Sequence, residues 1–208
     1  MFKGTALEVW YYECLRKFLV PVLVKWGLEP NHLSILGLFA SVLAGMCFVF
    51  SPFWGGMFTL LSGLFDTLDG SLARFMGKSR KAGAFLDSVI DRYTELIILL
   101  GIWGYFYRLN YYVPVVSLLI ILILFGSLMV SYTRARAEGL GERCIVGAFQ
   151  RGERIVLLGI AGILYFIWPV PLVMFLTLWV FVVGTNATAL WRFFHVLKNL
   201  KRQGQDAD

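Results

Sequence analysis

The stretch DTLDGSLARFMGKSRKAGAFLDSVID, residues 66–91, places Asp66, Asp69, Asp87 and Asp91 in a chain otherwise dominated by apolar residues. A charged side chain at the centre of a membrane-spanning helix costs roughly 2.5–3.5 kcal/mol on insertion scales. Four carboxylates are tolerable there only if they are paired, hydrated or metal-bound. Asp66 and Asp69 stand at i,i+3, and Asp87 and Asp91 at i,i+4, so each pair shares one face of a helix. Two consecutive antiparallel helices can turn those faces toward each other and converge all four carboxylates at one end. Without cations the four would repel one another. Hard divalent ions such as Mg²⁺ or Mn²⁺ take oxygen ligands and keep positions for phosphate oxygens. Two such ions about 4 Å apart would clamp a displacement at phosphorus. Gly70 and Ala73 lie on the carboxylate side of the first of these helices, and Gly83 lies one turn before Asp87. They leave room for a bulky ligand to approach the backbone. Gly63 reads instead as a helix-packing glycine.

The rest of the chain must hold that cluster in a membrane. The 208 residues are 59% hydrophobic with a mean hydropathy of +0.74, too apolar for a soluble domain of this size. The fold class expected is all-α integral membrane, with six transmembrane helices preceded by an N-terminal amphipathic surface helix. The six spans run over about 33–50, 53–75, 83–107, 112–132, 151–168 and 172–194, each near the ~20 apolar residues a bilayer requires. SPFWGG, RLNYY and WPVP are the short turns between them. With both termini in the cytoplasm, every Lys and Arg of the 19 except Arg108 falls on the cytoplasmic side, which is the positive-inside pattern. All 13 acidic residues fall on that side too. The net charge of +6 therefore belongs to membrane orientation, and no nucleic-acid partner is expected.

Residues 1–32 form a juxtamembrane segment that does not read as a signal peptide, because acidic and aromatic residues interrupt it. Leu7, Tyr11, Leu15 and Phe18 recur on one helical face, with Glu13, Arg16 and Lys17 turned away, as in a helix lying on the membrane surface. Asn31 is the expected N-cap of the first span. Cys14, Cys47 and Cys144 have no metal-type spacing and are expected as free thiols. The tail 196–208 is polar and expected to fray. His32 and His195 read as interfacial residues.

The pattern D-x-x-D-G-x-x-A-R-x8-G-x-x-x-D-x-x-x-D, carried by Asp66, Asp69, Gly70, Ala73, Arg74, Gly83, Asp87 and Asp91, resembles the signature of the CDP-alcohol phosphotransferase family. Residues 33–195 would then be the catalytic domain. The resemblance implies displacement of CMP from a CDP-linked donor, CDP-diacylglycerol or an ether-lipid analogue, by an alcohol. It implies Asp66, Asp69, Asp87 and Asp91 as ligands of two Mg²⁺ or Mn²⁺ ions, with Asp91 also the general base. Asn31, Ser34, Asp69, Gly70, Ala73, Arg74 and Gly83 would hold the CDP donor. It further implies a homodimer, which the apolar third and fourth spans could support. The physical demands agree: the pyrophosphate charge needs cations, and an attacking alcohol must lose a proton.

A second cluster, SYTRARAEGLGERCIVGAFQRGER at 131–154, bears on the acceptor. Guanidinium groups at helix ends near the carboxylates suit a phosphate on the acceptor. Ser131, Arg134, Arg151, Arg154 and Arg192 are the candidates, while Arg136 and Arg143 read as membrane anchors. SYTRARAEG followed by R-x-E-R is similar to the family branch that makes phosphatidylinositol phosphate or its archaeal ether-lipid counterpart, implying inositol 1-phosphate as acceptor. Glycerol 3-phosphate is the alternative phosphorylated polyol. A cation or proton-coupled transporter is the alternative of another class. Transporters place their site near the midplane between repeats, whereas these aspartates cluster toward one side and no repeat is visible. A lipid donor also calls for a cavity open both to the cytoplasm and laterally to the bilayer.

Overall fold

The computed structural model describes residues 13–77 and 81–205, and all of the regular structure in them is helical. A π-helical turn, Leu15–Leu19, leads into α1 (Val20–Lys25). Then follow α2 (Pro30–Phe50), α3 (Pro52–Phe75), α4 (Lys81–Arg108), α5 (Val113–Gly139), α6 (Arg151–Ile167) and α7 (Pro171–Gln205). Leu7 and Tyr11 of the expected surface helix, and the last three residues of the tail, lie outside the described residues.

Proline sets several helix starts. Pro30 and Pro52 occupy the first turn of α2 and α3, where a missing N–H costs nothing. Pro30 moves the start of α2 ahead of Asn31. The N-cap is Glu29, whose backbone N–H donates to His32 Nδ1 at 3.2 Å. Asn31 therefore sits in the first turn and is not the cap, a correction to the sequence expectation. Ser51 alone, in an extended conformation, separates α2 from α3, so the SPFWGG turn is shorter than expected. α3 stops at Gly77, whose φ of +63° favours glycine. α5 continues past Tyr132 to Gly139, and α7 continues through the tail to Gln205, further than hydropathy alone marks. Arg134 and Glu138 pair at i,i+4 with 2.8 Å between them on that polar extension of α5.

α2 packs along both α3 and α4, α3 along α6, α6 along α7, α7 along α5, and α5 along α4. The six helices thus close a ring in which α4 and α6 stand on opposite sides. Glycines bring neighbours together. A Cβ on Gly56 would lie 3.0 Å from Gly162 Cα across the α3–α6 contact, and one on Gly63 would lie 2.6 Å from Ile155. Gly63 is thus the packing glycine its sequence suggests. The apolar core gathers Phe48, Ile102, Phe106, Leu119, Met174 and Phe181. A second cluster of Leu15, Val20, Leu33, Leu68 and Leu72 docks the N-terminal segment on α2 and α3. Glu13, Arg16 and Lys17 are exposed, and so is Phe18.

The outer surface is apolar, with Phe39, Met46, Phe125, Leu176 and Val183 all exposed. α2, α5 and Pro171–Arg202 of α7 are each long and apolar enough to cross a membrane, with mean hydropathies of 2.3, 2.8 and 1.8. The chain is a multi-pass membrane protein. α3, α4 and α6 fill the same ring but carry the charged side chains of the site.

Candidate active site

The sequence spacing translates directly into geometry. Asp66 and Asp69 project from the second half of α3, and Asp87 and Asp91 from the first half of α4. The helices run antiparallel, so Asp69 faces the start of α4 while Asp66 lies deeper, level with Asp91. Carboxylate oxygens of Asp66, Asp69 and Asp87 all lie within 4.8 Å of one another. Three carboxylates offering oxygen alone fit a hard divalent cation such as Mg²⁺ or Mn²⁺. Ser34 of α2 donates a 2.6 Å hydrogen bond to Asp69 Oδ2 and fixes that carboxylate. One turn before Asp66, the Ser62 hydroxyl donates to Gly37 O at 2.9 Å. Both bonds tie α2 to α3 at the depth of the cluster.

A cavity of about 430 Å³ opens beside Asp69 and Asp87. Its walls include Asn31 and Ser34 of α2, Gly70, Ala73 and Arg74 of α3, and Gly83 of α4. Every residue expected to hold the CDP donor therefore lines one space. A Cβ built on Gly83 meets nothing within 4 Å, and one on Gly70 meets only the Arg74 guanidinium, at 3.4 Å. Both glycines thus border open space, in contrast to Gly63. Phe85 and Leu86 are exposed at the α4 edge of the cavity, as is Phe75 at the end of α3.

The deeper side differs. Arg151, the first residue of α6, reaches across the ring and its Nη1 pairs with both Asp66 and Asp91. Its Nη2 donates to Thr94 Oγ1 at 3.4 Å. Arg154, one turn further along α6, is 3% exposed, and its Nη1 donates to Glu95 and to Ser127. Its Nε is buried and has no hydrogen-bond partner. Ser131 accepts from Arg92 and donates to Ser127 O at 3.3 Å.

Among the other residues expected at the acceptor, Arg192 is buried, donating from Nε to Val146 O at 2.8 Å and from Nη1 to Val130 O at 2.6 Å. This sets its guanidinium beside the backbone of Ser131. Arg134 pairs with Glu138 on the exposed side of α5. The structure therefore links Arg151 directly, and Ser131 through Arg92, to Asp91, and holds Arg154 one turn below on Glu95. It keeps Arg192 on backbone carbonyls and Arg134 on its own helix, so among the described residues neither is brought onto the aspartates as expected. All three cysteines are free thiols. Glu95, Ser127, Arg92 and Thr94 were not singled out from the sequence. Glu95 was within reach of the same reasoning, because it lies four residues after Asp91 and opens an apolar run.

The family model for CDP-alcohol phosphatidyltransferase matches residues 28–193. The archaetidylinositol phosphate synthase of Pyrococcus horikoshii is 39% identical over 144 residues, covering 68% of this chain and 72% of that protein. The phosphatidylinositol phosphate synthase of Mycobacteroides abscessus is 33% identical over 186 residues, covering 86% and 81%. The crystal structure of Mycobacterium tuberculosis phosphatidylinositol phosphate synthase (PgsA1) with CDP-DAG bound superposes with a TM-score of 0.76 at 28% identity, covering 86% of this chain and 94% of that one. The same enzyme in complex with manganese and citrate gives a TM-score of 0.75 at 29% identity, covering 86% and 87%. With six of its eight motif residues lining one cavity and Asp66 and Asp91 one turn deeper, the chain belongs to the CDP-alcohol phosphatidyltransferase family, a family of membrane enzymes of phospholipid synthesis.

Proposed function

We propose that this enzyme transfers the phosphatidyl or ether-lipid group of a CDP-linked lipid to inositol 1-phosphate, releasing CMP. The observation that carries the reading is the single cavity shared by the donor residues and the Asp69–Asp87 edge of the carboxylate cluster. In it, Arg74 faces the pyrophosphate, Gly70, Ala73 and Gly83 leave room for the cytidine diphosphate, and Asn31 and Ser34 close the α2 side. Phe75, Phe85 and Leu86, exposed at the edge, let the acyl or ether chains remain in the bilayer while the head enters laterally.

Asp66, Asp69, Asp87 and Asp91 would hold two divalent ions, which when bound neutralise the pyrophosphate and the departing phosphate. Asp91 also takes the proton of the acceptor hydroxyl. As that oxygen bonds to the lipid-bearing phosphorus, the bond from this phosphorus to the bridging oxygen breaks and CMP leaves with that oxygen. Ser131, Arg151, Arg154 and Arg192 meet the acceptor phosphate, and Arg134 joins them by leaving Glu138. This arginine cluster and the relatives named for inositol phosphate lipids support that choice of acceptor. The distribution of lysines and arginines supports a site and both termini facing the cytoplasm, with α2 to α7 as six spans. The exposed apolar faces of α4 and α5 suit a homodimer contact.

The test is CMP release by purified protein from CDP-diacylglycerol with Mg²⁺ or Mn²⁺, with inositol 1-phosphate, inositol, glycerol 3-phosphate and serine compared side by side. Turnover with inositol 1-phosphate is expected. Turnover with glycerol 3-phosphate alone would keep the arginine site and replace the product. Turnover only with an unphosphorylated alcohol would reassign those arginines to membrane anchoring.

A further inference from the structure

One turn beneath the aspartates lies a second polar layer that binds neither donor nor metal. Glu95 lies four residues after Asp91 on α4, Arg154 three after Arg151 on α6, and Ser127 four before Ser131 on α5. Each residue of the lower layer thus stands under a residue of the upper one. Arg154 Nη1 donates to both Glu95 and Ser127, and Ser127 Oγ donates to Glu95 Oε1 at 2.7 Å. Three side chains from three helices therefore meet at one carboxylate.

Ile98, Leu99, Ile155, Leu158 and Phe181 border one side of a small space of about 30 Å³, and Thr59, Ser62, Thr94 and Arg151 border the other, leaving room for about one water beside the two arginines. α4 and α6 stand across the ring from each other. Two acid–arginine rungs, Asp91–Arg151 above and Glu95–Arg154 below, bridge the gap between them.

We propose that Glu95 is a positioning residue for the acceptor. It fixes the guanidinium of Arg154 and, with Ser127, the rotation and depth of α5 and α6 against α4. That alignment aims Arg151, Ser131 and Arg154 at the incoming acceptor. Glu95 itself touches neither the reacting atoms nor the donor. The proposal rests on the reading that these three residues face the acceptor phosphate. A clamp that served only folding would lower the yield or melting temperature of a variant and leave its KM values alone.

The test uses the full-length protein with Glu95→Gln, Glu95→Asp and Ser127→Ala. Gln keeps the volume of Glu but loses the charge and sets an amide N–H₂ among donors. Glu95→Gln should raise acceptor KM about tenfold, with donor KM and Mn²⁺ affinity within about twofold of wild type. Glu95→Asp should recover part of that loss. Ser127→Ala should raise acceptor KM about threefold, and it supplies the same comparison if Glu95→Gln does not fold. Inorganic phosphate, assayed as a competitor of the acceptor, should weaken in parallel with the KM change. Equal shifts in donor and acceptor KM, or no shift in acceptor KM, would overturn the clamp. If phosphate fails to compete even in the wild type, the phosphate-site reading falls. The clamp is then upheld by a KM rise confined to the acceptor and overturned by its absence.

Discussion

The two halves of the carboxylate cluster use the same side chain in opposite ways. Asp69 and Asp87 border the cavity of about 430 Å³, and among the described residues no lysine or arginine is ion-paired to either. Asp66 and Asp91 lie one turn deeper and share the guanidinium of Arg151. Helical spacing alone would make the pairs equivalent. The difference is made by α6, which delivers Arg151 to the deep half and no arginine to the open one. Charge left without a cationic side chain beside a cavity is available to ions and donor; charge answered by arginine belongs with the acceptor and the proton.

The largest effect should come from the deep half. Asp91→Asn keeps shape and removes the base, so CMP release should fall about a thousandfold, within the range for loss of a positioned base. CDP-lipid binding, measured by equilibrium competition, should change little. A variant that kept full turnover would move the base to another carboxylate. The next effect belongs to the open half. Gly83→Leu would project into the cavity and should raise donor KM by about thirtyfold, at unchanged acceptor KM. Gly83→Ala meets nothing within 4 Å and replaces a helical glycine, so it should cost little binding and raise thermal stability by up to about 1 kcal/mol. Comparable loss of donor binding in both variants would mean that the cytidine diphosphate lies tight against α4.

The open half was almost wholly legible in the sequence, and the deep half only in part. Asp69, Gly70, Ala73, Arg74, Gly83 and Asp87 fall within 19 consecutive residues of two adjoining helices, so local periodicity places them. The deep half is assembled from α4, α5 and α6, and Arg151 reaches Asp66 across 85 positions. Nothing in spacing says which of several arginines will cross the ring. Glu95 escaped notice because it matches no motif position, although its isolation before Leu96, Ile97 and Ile98 was a signal of burial with a partner. The cap of α2 was misread for a local reason: Pro30 suits the first helical position better than Asn31 suits the cap, and it pulled the start forward. The ends of α5 and α7 were set short because polar residues there continue the helix outside the apolar window.

Arg151 offers a way to exchange the character of the two halves. Arg151→Gln removes the guanidinium that Asp66 and Asp91 share, leaving Asp91 only Arg92 at 3.5 Å, and so adds net negative charge to the whole cluster. Mn²⁺ should then bind more tightly, by about fivefold, as read by titration calorimetry or the free-ion EPR signal. Turnover should fall at the same time, because the acceptor loses a guanidinium. Unchanged Mn²⁺ affinity would mean that the arginine and the ions do not share a field.

The smallest effect tests how far the open half depends on its scaffold. His32 Nδ1 accepts the Glu29 N–H at 3.2 Å and so holds the first turn of α2, from which Asn31 and Ser34 face the donor cavity. His32→Ala removes that cap bond, a loss of about 1 kcal/mol at a helix N-terminus. The turn frays beside the open half alone, since Ser62 still binds Gly37 O deeper along α2. Donor KM should rise about twofold while acceptor KM and Mn²⁺ affinity stay at wild-type values. If acceptor KM rose as well, the two halves would be coupled through α2, and their separate behaviour would have to be assigned to α6 acting on both.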